Sequence, residues 1–123
     1  MGQGRIVVID VVGLSPAHFQ HREKIPHLRS LLDRGKTARM KPVFPAVTLP
    51  VQASLTTGES PATHGVVANG FFFRDDYQVS FREQSARLVQ SERIWDRLKR
   101  LNPDLKTAVL FFQNTLYAAC EAI

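Results

Sequence analysis

The sequence predicts an α/β protein whose parallel sheet is begun but left incomplete. Three observations point there. Residues 5–10 (RIVVID) form a nearly unbroken β-branched run ending in a carboxylate, the pattern of a strand buried on both faces. Residues 26–34 and 91–101 carry apolar side chains at helical spacing. Residues 107–112 (TAVLFF) are a second apolar strand, expected to run parallel to the first after a crossover helix.

Asp10 ends the first strand and is followed by a glycine-containing loop, VVGLSP. Ligands collect at the carboxyl ends of strands in open α/β sheets, so Asp10 is a candidate metal ligand. The competing reading is that it caps the next turn. In residues 26–34 (PHLRSLLDR), Leu28, Leu31 and Leu32 share one stripe, Pro26 suits the first turn and Gly35 supplies the stop. Residues 36–43 alternate loosely and are expected to form a second strand.

Pro42, Pro45 and Pro50 are expected to prevent a long helix before Val51, after which VQASLTTG forms a short helix stopped by Gly58. Thr48 then sits in the turn entering that helix. A hydroxyl there faces unpaired backbone N–H groups and the positive end of the helix dipole, where a phosphate or a developing alkoxide is held best. The alternative is that Thr48 only caps the helix. Residues 59–69 are a loop, and GFFFRDDYQVSF is expected to be a hairpin turning at residues 74–76, with Phe71, Phe72 and Phe73 serving as core or as a lip over a pocket rather than as a stacking platform. Ser91 is the expected N-cap of the 91–101 helix, and Ile94, Trp95, Leu98 and Leu101 its core stripe.

Composition narrows the function classes. Of 123 residues, 44% are hydrophobic, enough for one domain. Lys plus Arg number 16 against 11 Asp plus Glu, a net charge of +5, yet the basic residues are scattered without aromatic interleaving. The charge therefore reads as solvated faces rather than as a nucleic-acid surface. Cys120 is the only cysteine, which excludes an internal disulfide and any site built from several thiolates. With no stretch resembling a signal peptide and no apolar run of membrane-spanning length, the chain is expected to be cytoplasmic, with no membrane partner.

The ordered set IVVID, PHLRSLLDRG, KPVFPAVTLPVQASLTTGESPATHGVVANGFF, ERIWDRLK and TAVLFF resembles the nucleotide pyrophosphatase/phosphodiesterase family of the alkaline phosphatase superfamily. The resemblance covers roughly residues 5–117 in order, and its motif, FPxxTxP, then SxxTG, then PxxHG and an Asn, is far more specific than any short glycine pattern. It implies an N-terminal portion of an alkaline phosphatase-like doubly wound sheet with crossover helices. It also implies a site with two divalent metal ions, zinc in this family, acting on a phosphodiester or nucleotide substrate. Asp10 matches the first-strand metal ligand, and Thr48 matches the threonine that binds the same metal and attacks phosphorus. Asn69 matches the asparagine whose amide binds a non-bridging phosphate oxygen beside the Thr48 N–H. The chemistry is consistent: a free threonine hydroxyl is too weak an acid to attack at neutral pH, and amide donors stabilise charge on the equatorial oxygens.

Within the resemblance His64 belongs to a structural turn, and His18, His21 and His27 have spacings too irregular for a metal site. The family's Asp-Gly after the first strand is Asp10-Val11 here, and the Asn-His after Thr-x-Pro is Val51-Gln52. The family's remaining metal ligands come from later in longer chains, so the 123 residues alone are expected to be inactive. A phosphonate or phosphomonoester hydrolase of the same superfamily, and a non-catalytic anion-binding fragment, remain the alternatives.

Overall fold

The computed structural model describes residues 4–121, which fall into two compact units, Met1–Met40 and Lys41–Ile123. Their element order is three short 3-10 turns, four helices and one hairpin. The mixed helix and small-sheet content agrees with an α/β chain.

In the first unit, helix α1 spans Pro26–Arg34, with Pro26 in its first turn and Gly35 beyond its end. Leu28 and Leu32 are half-buried and Leu31 is exposed, so the stripe forms without a full cover. Two 3-10 turns, Pro16–Gln20 and Arg22–Lys24, precede it, the first closed by the Ser15 N–H donating to His18 Nδ1 at 3.1 Å. The strand expected over residues 5–10 is not formed: Ile6 is 91% exposed and Val7, Val8 and Ile9 are open as well. A doubly buried strand needs a neighbour on each edge and a layer on each face, and the described residues of this unit supply neither. Residues 36–43 likewise carry no strand.

The second unit is organised around helix α2, Thr48–Thr57, which ends at Gly58 in the left-handed conformation (φ 75°), its N–H donating to Ser54 O at 2.9 Å. The helix begins three residues earlier than the prolines suggest. Pro50 is accommodated because a first-turn residue has no intrahelical acceptor for the N–H that proline lacks. Helix α3, Pro61–His64, follows and ends at Gly65 (φ 79°), where a Cβ would approach the Gln90 side chain to 2.9 Å. Leu49, Ala53, Val66 and Val89 form the core, and Phe71 packs against it.

Strands β1 (Gly70–Phe73) and β2 (Gln78–Phe81) make the expected antiparallel hairpin, closing with Phe73 opposite Gln78. Phe71 alone of the three phenylalanines packs on the core cluster, while Phe72 looks outward. Helix α4 spans Ile94–Leu101 with Arg93, not Ser91, at its N-cap. Trp95 is buried, but Ile94, Leu98 and Leu101 are exposed, so most of the expected core stripe is open.

The strand expected over residues 107–112 is also absent as a ladder: Val109 is buried, but Leu110 is exposed and Phe111 is 95% exposed with φ 62°. Residue 121 takes up this segment's polar groups instead. The Glu121 N–H donates to Thr107 O, and its carboxylate accepts from the Thr107 N–H and hydroxyl.

Candidate active site

The site is built at the N-terminus of α2. Val47, extended at φ −113° and ψ 165°, is the N-cap and offers no side-chain hydrogen bond, so Thr48 is the first helical residue rather than the cap. The Val51 N–H donates to Val47 O, which leaves the first turn with three backbone positions to satisfy. Pro50 has no N–H. The Leu49 N–H donates to Asn69 Oδ1 at 2.9 Å, across 20 residues of sequence. Among the described residues the Thr48 N–H and the Thr48 hydroxyl have no hydrogen-bond partner. Three different devices thus leave one backbone donor and one hydroxyl at the positive end of the helix.

The same hydrogen bond fixes the Asn69 amide. Because its oxygen accepts from Leu49, its Nδ2 is the group left to donate, on a residue clamped to the position next to Thr48. The backbone of Asn69 is held separately by the Arg82 N–H, which donates to Asn69 O at 2.8 Å as the hairpin closes. The structure therefore bonds Asn69 to Leu49, the residue after Thr48. Asp10 lies in the other unit, on the exposed 5–10 segment.

Behind this turn, α2 is gripped on two sides. Its apolar side carries Leu49 and Ala53. Its polar side carries Gln52 and Thr56, one turn apart and both buried. Gln52 Oε1 accepts the Gln113 N–H at 2.9 Å. Arg93, only 2% exposed, donates from Nε to Thr56 Oγ1 at 3.0 Å and from Nη1 to the carbonyls of Gln113 and Asn114, and its guanidinium lies 4.2 Å from the Trp95 ring centre. Burial lowers the Arg93 pKa to about 10, with Asp96 opposing the shift. Sequence reasoning missed this brace. The available signal was the spacing of Gln52 and Thr56, a polar pair one helical turn apart; Arg93 itself meets its hydrogen-bond partners 20 to 37 residues away and has no local signature.

His64 is fully buried at the end of α3. Its Nδ1 accepts the Val66 N–H at 3.1 Å, its Nε2 lies 2.8 Å from Ser54 Oγ on α2, and its carbonyl accepts the Gln90 N–H. It is a bonded turn residue, as the sequence indicates. Among the described residues no group of three or more His, Cys, Asp or Glu side chains is arranged to hold a metal ion. Asp10 and Thr48 are oxygen donors of a kind a divalent cation accepts, but two donors fall short of the three or four protein ligands of a zinc site, and the described residues do not make one. Among them, too, no helix is long and apolar enough to cross a membrane.

A family profile described as type I phosphodiesterase / nucleotide pyrophosphatase matches residues 6–122. An uncharacterized pyrophosphatase/phosphodiesterase of Schizosaccharomyces pombe is 35% identical over 71 residues, which cover 57% of this chain and 14% of the relative. An ectonucleotide pyrophosphatase/phosphodiesterase of Caenorhabditis elegans is 29% identical over 100 residues, 78% of this chain and 13% of the relative. The chain thus spans only a small share of the length of the curated relatives it matches. No solved structure matches it significantly.

Proposed function

The chain belongs to the type I phosphodiesterase / nucleotide pyrophosphatase family, and from that membership we propose that it carries the nucleophile of a hydrolase that splits phosphodiester or pyrophosphate bonds in nucleotide-like substrates. The observation that supports this best is the clamp between the Leu49 N–H and Asn69 Oδ1, which ties the Asn69 amide to the residue following Thr48 and leaves its Nδ2 as the group able to donate.

In this reading Thr48 Oγ1 attacks phosphorus, giving its proton to solvent water as the new P–O bond forms. The bond to the leaving alkoxide or phosphate breaks, and the leaving oxygen takes a proton from solvent. The Thr48 N–H and Asn69 Nδ2 donate to the non-bridging oxygens, where charge is concentrated in transfer. Water then cleaves the phosphothreonine.

Divalent cations, two zinc ions in this proposal, would supply the acidity that a free threonine hydroxyl lacks, with Asp10 and Thr48 among their ligands and the rest outside this chain. The finer fold reading belongs to the same proposal. Residues 5–10 and 107–112 would become strands of an alkaline phosphatase-like doubly wound sheet once flanked by further strands.

The test is hydrolysis of bis-p-nitrophenyl phosphate with zinc, by the 123-residue chain and by a chimera in which the later part of the C. elegans relative is joined to it. The chain alone is expected to be inactive and the chimera active, with activity lost in Thr48→Ala. Chimeric activity that survives Thr48→Ala would contradict the nucleophile assignment.

A further inference from the structure

The turn that delivers Asn69 to α2 is fastened by one titratable ring. Val66 N–H donates to His64 Nδ1, so that nitrogen carries no proton in the neutral ring, and the ring proton sits on Nε2, donated to Ser54 Oγ. One face of the ring therefore holds the start of the 66–69 loop and the other holds α2. The carbonyl of His64 ties a third segment through Gln90. Five residues after His64 the same loop presents Asn69 to the Leu49 N–H.

We propose that His64 is a positioning residue for Asn69: its uncharged ring fastens the 66–69 loop to α2, and protonation of that ring releases the Asn69–Leu49 clamp. A proton added at Nδ1 would face the Val66 N–H, setting two donors against each other at 3.1 Å. The loop must then turn away from the ring, or the ring from the loop. Either movement loosens the N-terminal side of Asn69, while the hairpin bond from Arg82 holds only its C-terminal side.

The charges facing His64 act in opposite directions. Burial is the largest influence and lowers its pKa from 6.5; the nearby Arg93 guanidinium adds to this, while the His64 carbonyl and Glu59 oppose it. A depressed histidine pKa means that the unfolded chain takes up the proton first, so the stabilising contribution is intact above pH 6.5 and is lost as pH falls through the folded value. The device therefore opens on the acid side of neutrality.

The catalytic meaning of this clamp rests on the proposed role of Asn69, but its existence does not, and hydrogen exchange tests it without any turnover. In the 123-residue chain the Leu49 amide is expected to lose about tenfold in protection as the His64 ring titrates, the equivalent of one well-formed hydrogen bond. The Asn102 amide, bonded to Leu98 O in α4, should keep its protection over the same range. In His64→Gln the pH dependence at Leu49 should vanish. Leu49 protection that is constant through the ring titration would overturn the proposal. So would simultaneous loss at Leu49 and Asn102, which reports acid unfolding of the whole unit, or a pH dependence that persists in His64→Gln. Should His64→Gln fail to fold, the titration of the unsubstituted chain decides alone. Absence of hydrolysis by the chimera, with the expected exchange pattern in the 123-residue chain, would count against the proposed function and leave the positioning role standing.

Discussion

Residues 5–10 and residues 48–57 both have strong apolar patterns, but they end in opposite circumstances. The first run is open to solvent through Ile6, Val7, Val8 and Ile9, whereas the second places Leu49 and Ala53 at 1% exposure in a core. The difference lies in where each element finds its partners. A helix satisfies most of its backbone internally, and α2 finds Val66, Phe71, Val89, Arg93 and Gln113, all within the next 70 residues. A strand buried on both faces satisfies nothing by itself. Local order therefore gathers around the start of α2, while the side chains of Ile6, Val7, Val8 and Ile9 stay open to solvent.

The comparison can be broken or sharpened by substitution. The largest effect is expected for Thr48→Ala in the active chimera, where loss of the attacking oxygen should lower the hydrolysis rate by a factor on the order of 10³ or more. Circular dichroism should show no change of fold, because the Thr48 side chain makes no hydrogen bond that holds the helix. Leu49→Ala comes next. Removing a fully buried leucine from the core should cost about 2–5 kcal/mol of stability, read from denaturant midpoints. Asn69→Ala leaves the Leu49 N–H without its acceptor and should destabilise by about 1 kcal/mol, as loss of a helix cap does, while lowering activity in the chimera.

How far the sequence could have foretold this depends on the same distinction. The bounds of α1, the hairpin turning after Phe73 and the stop at Gly58 were legible, because proline, glycine and turn residues act on their immediate neighbours. The start of α2 at Thr48 was misplaced, since Pro50 breaks a helix interior but fits a first turn. The bond from the Leu49 N–H to Asn69 has no local signal: no local rule connects the first turn of a helix to an amide 20 residues on. Arg93 was invisible for the same reason, its acceptors being brought in by the fold. The strands over 36–43 and 107–112 were read from apolar or alternating pattern alone, and pattern cannot say whether a neighbour is present.

Two smaller effects probe the ends of the chain. Glu121, which accepts hydrogen bonds from Lys99 and Thr107, has its pKa lowered to about 2, with Lys99 the leading cause. Its stabilising contribution should be whole above pH 4.5 and fade as pH falls toward 2; Glu121→Gln should remove that part of the acid dependence of the unfolding midpoint. The smallest effect is expected at Ile6→Ala, a change of less than about 0.5 kcal/mol, because the side chain is already in water. A change as large as that of Leu49→Ala would mean that the 5–10 run is packed in solution and would dissolve the contrast between the two regions.

The most direct test of the proposed nucleophile is chemical. The active chimera, quenched with acid while it hydrolyses a nucleotide diester, should yield the proteolytic peptide containing Thr48 with one added phosphoryl group, and Thr48→Ala should yield none. A phosphoryl group on any other residue, or an unmodified Thr48 peptide from enzyme trapped under conditions where water attack on the intermediate is the slow step, would contradict the assignment.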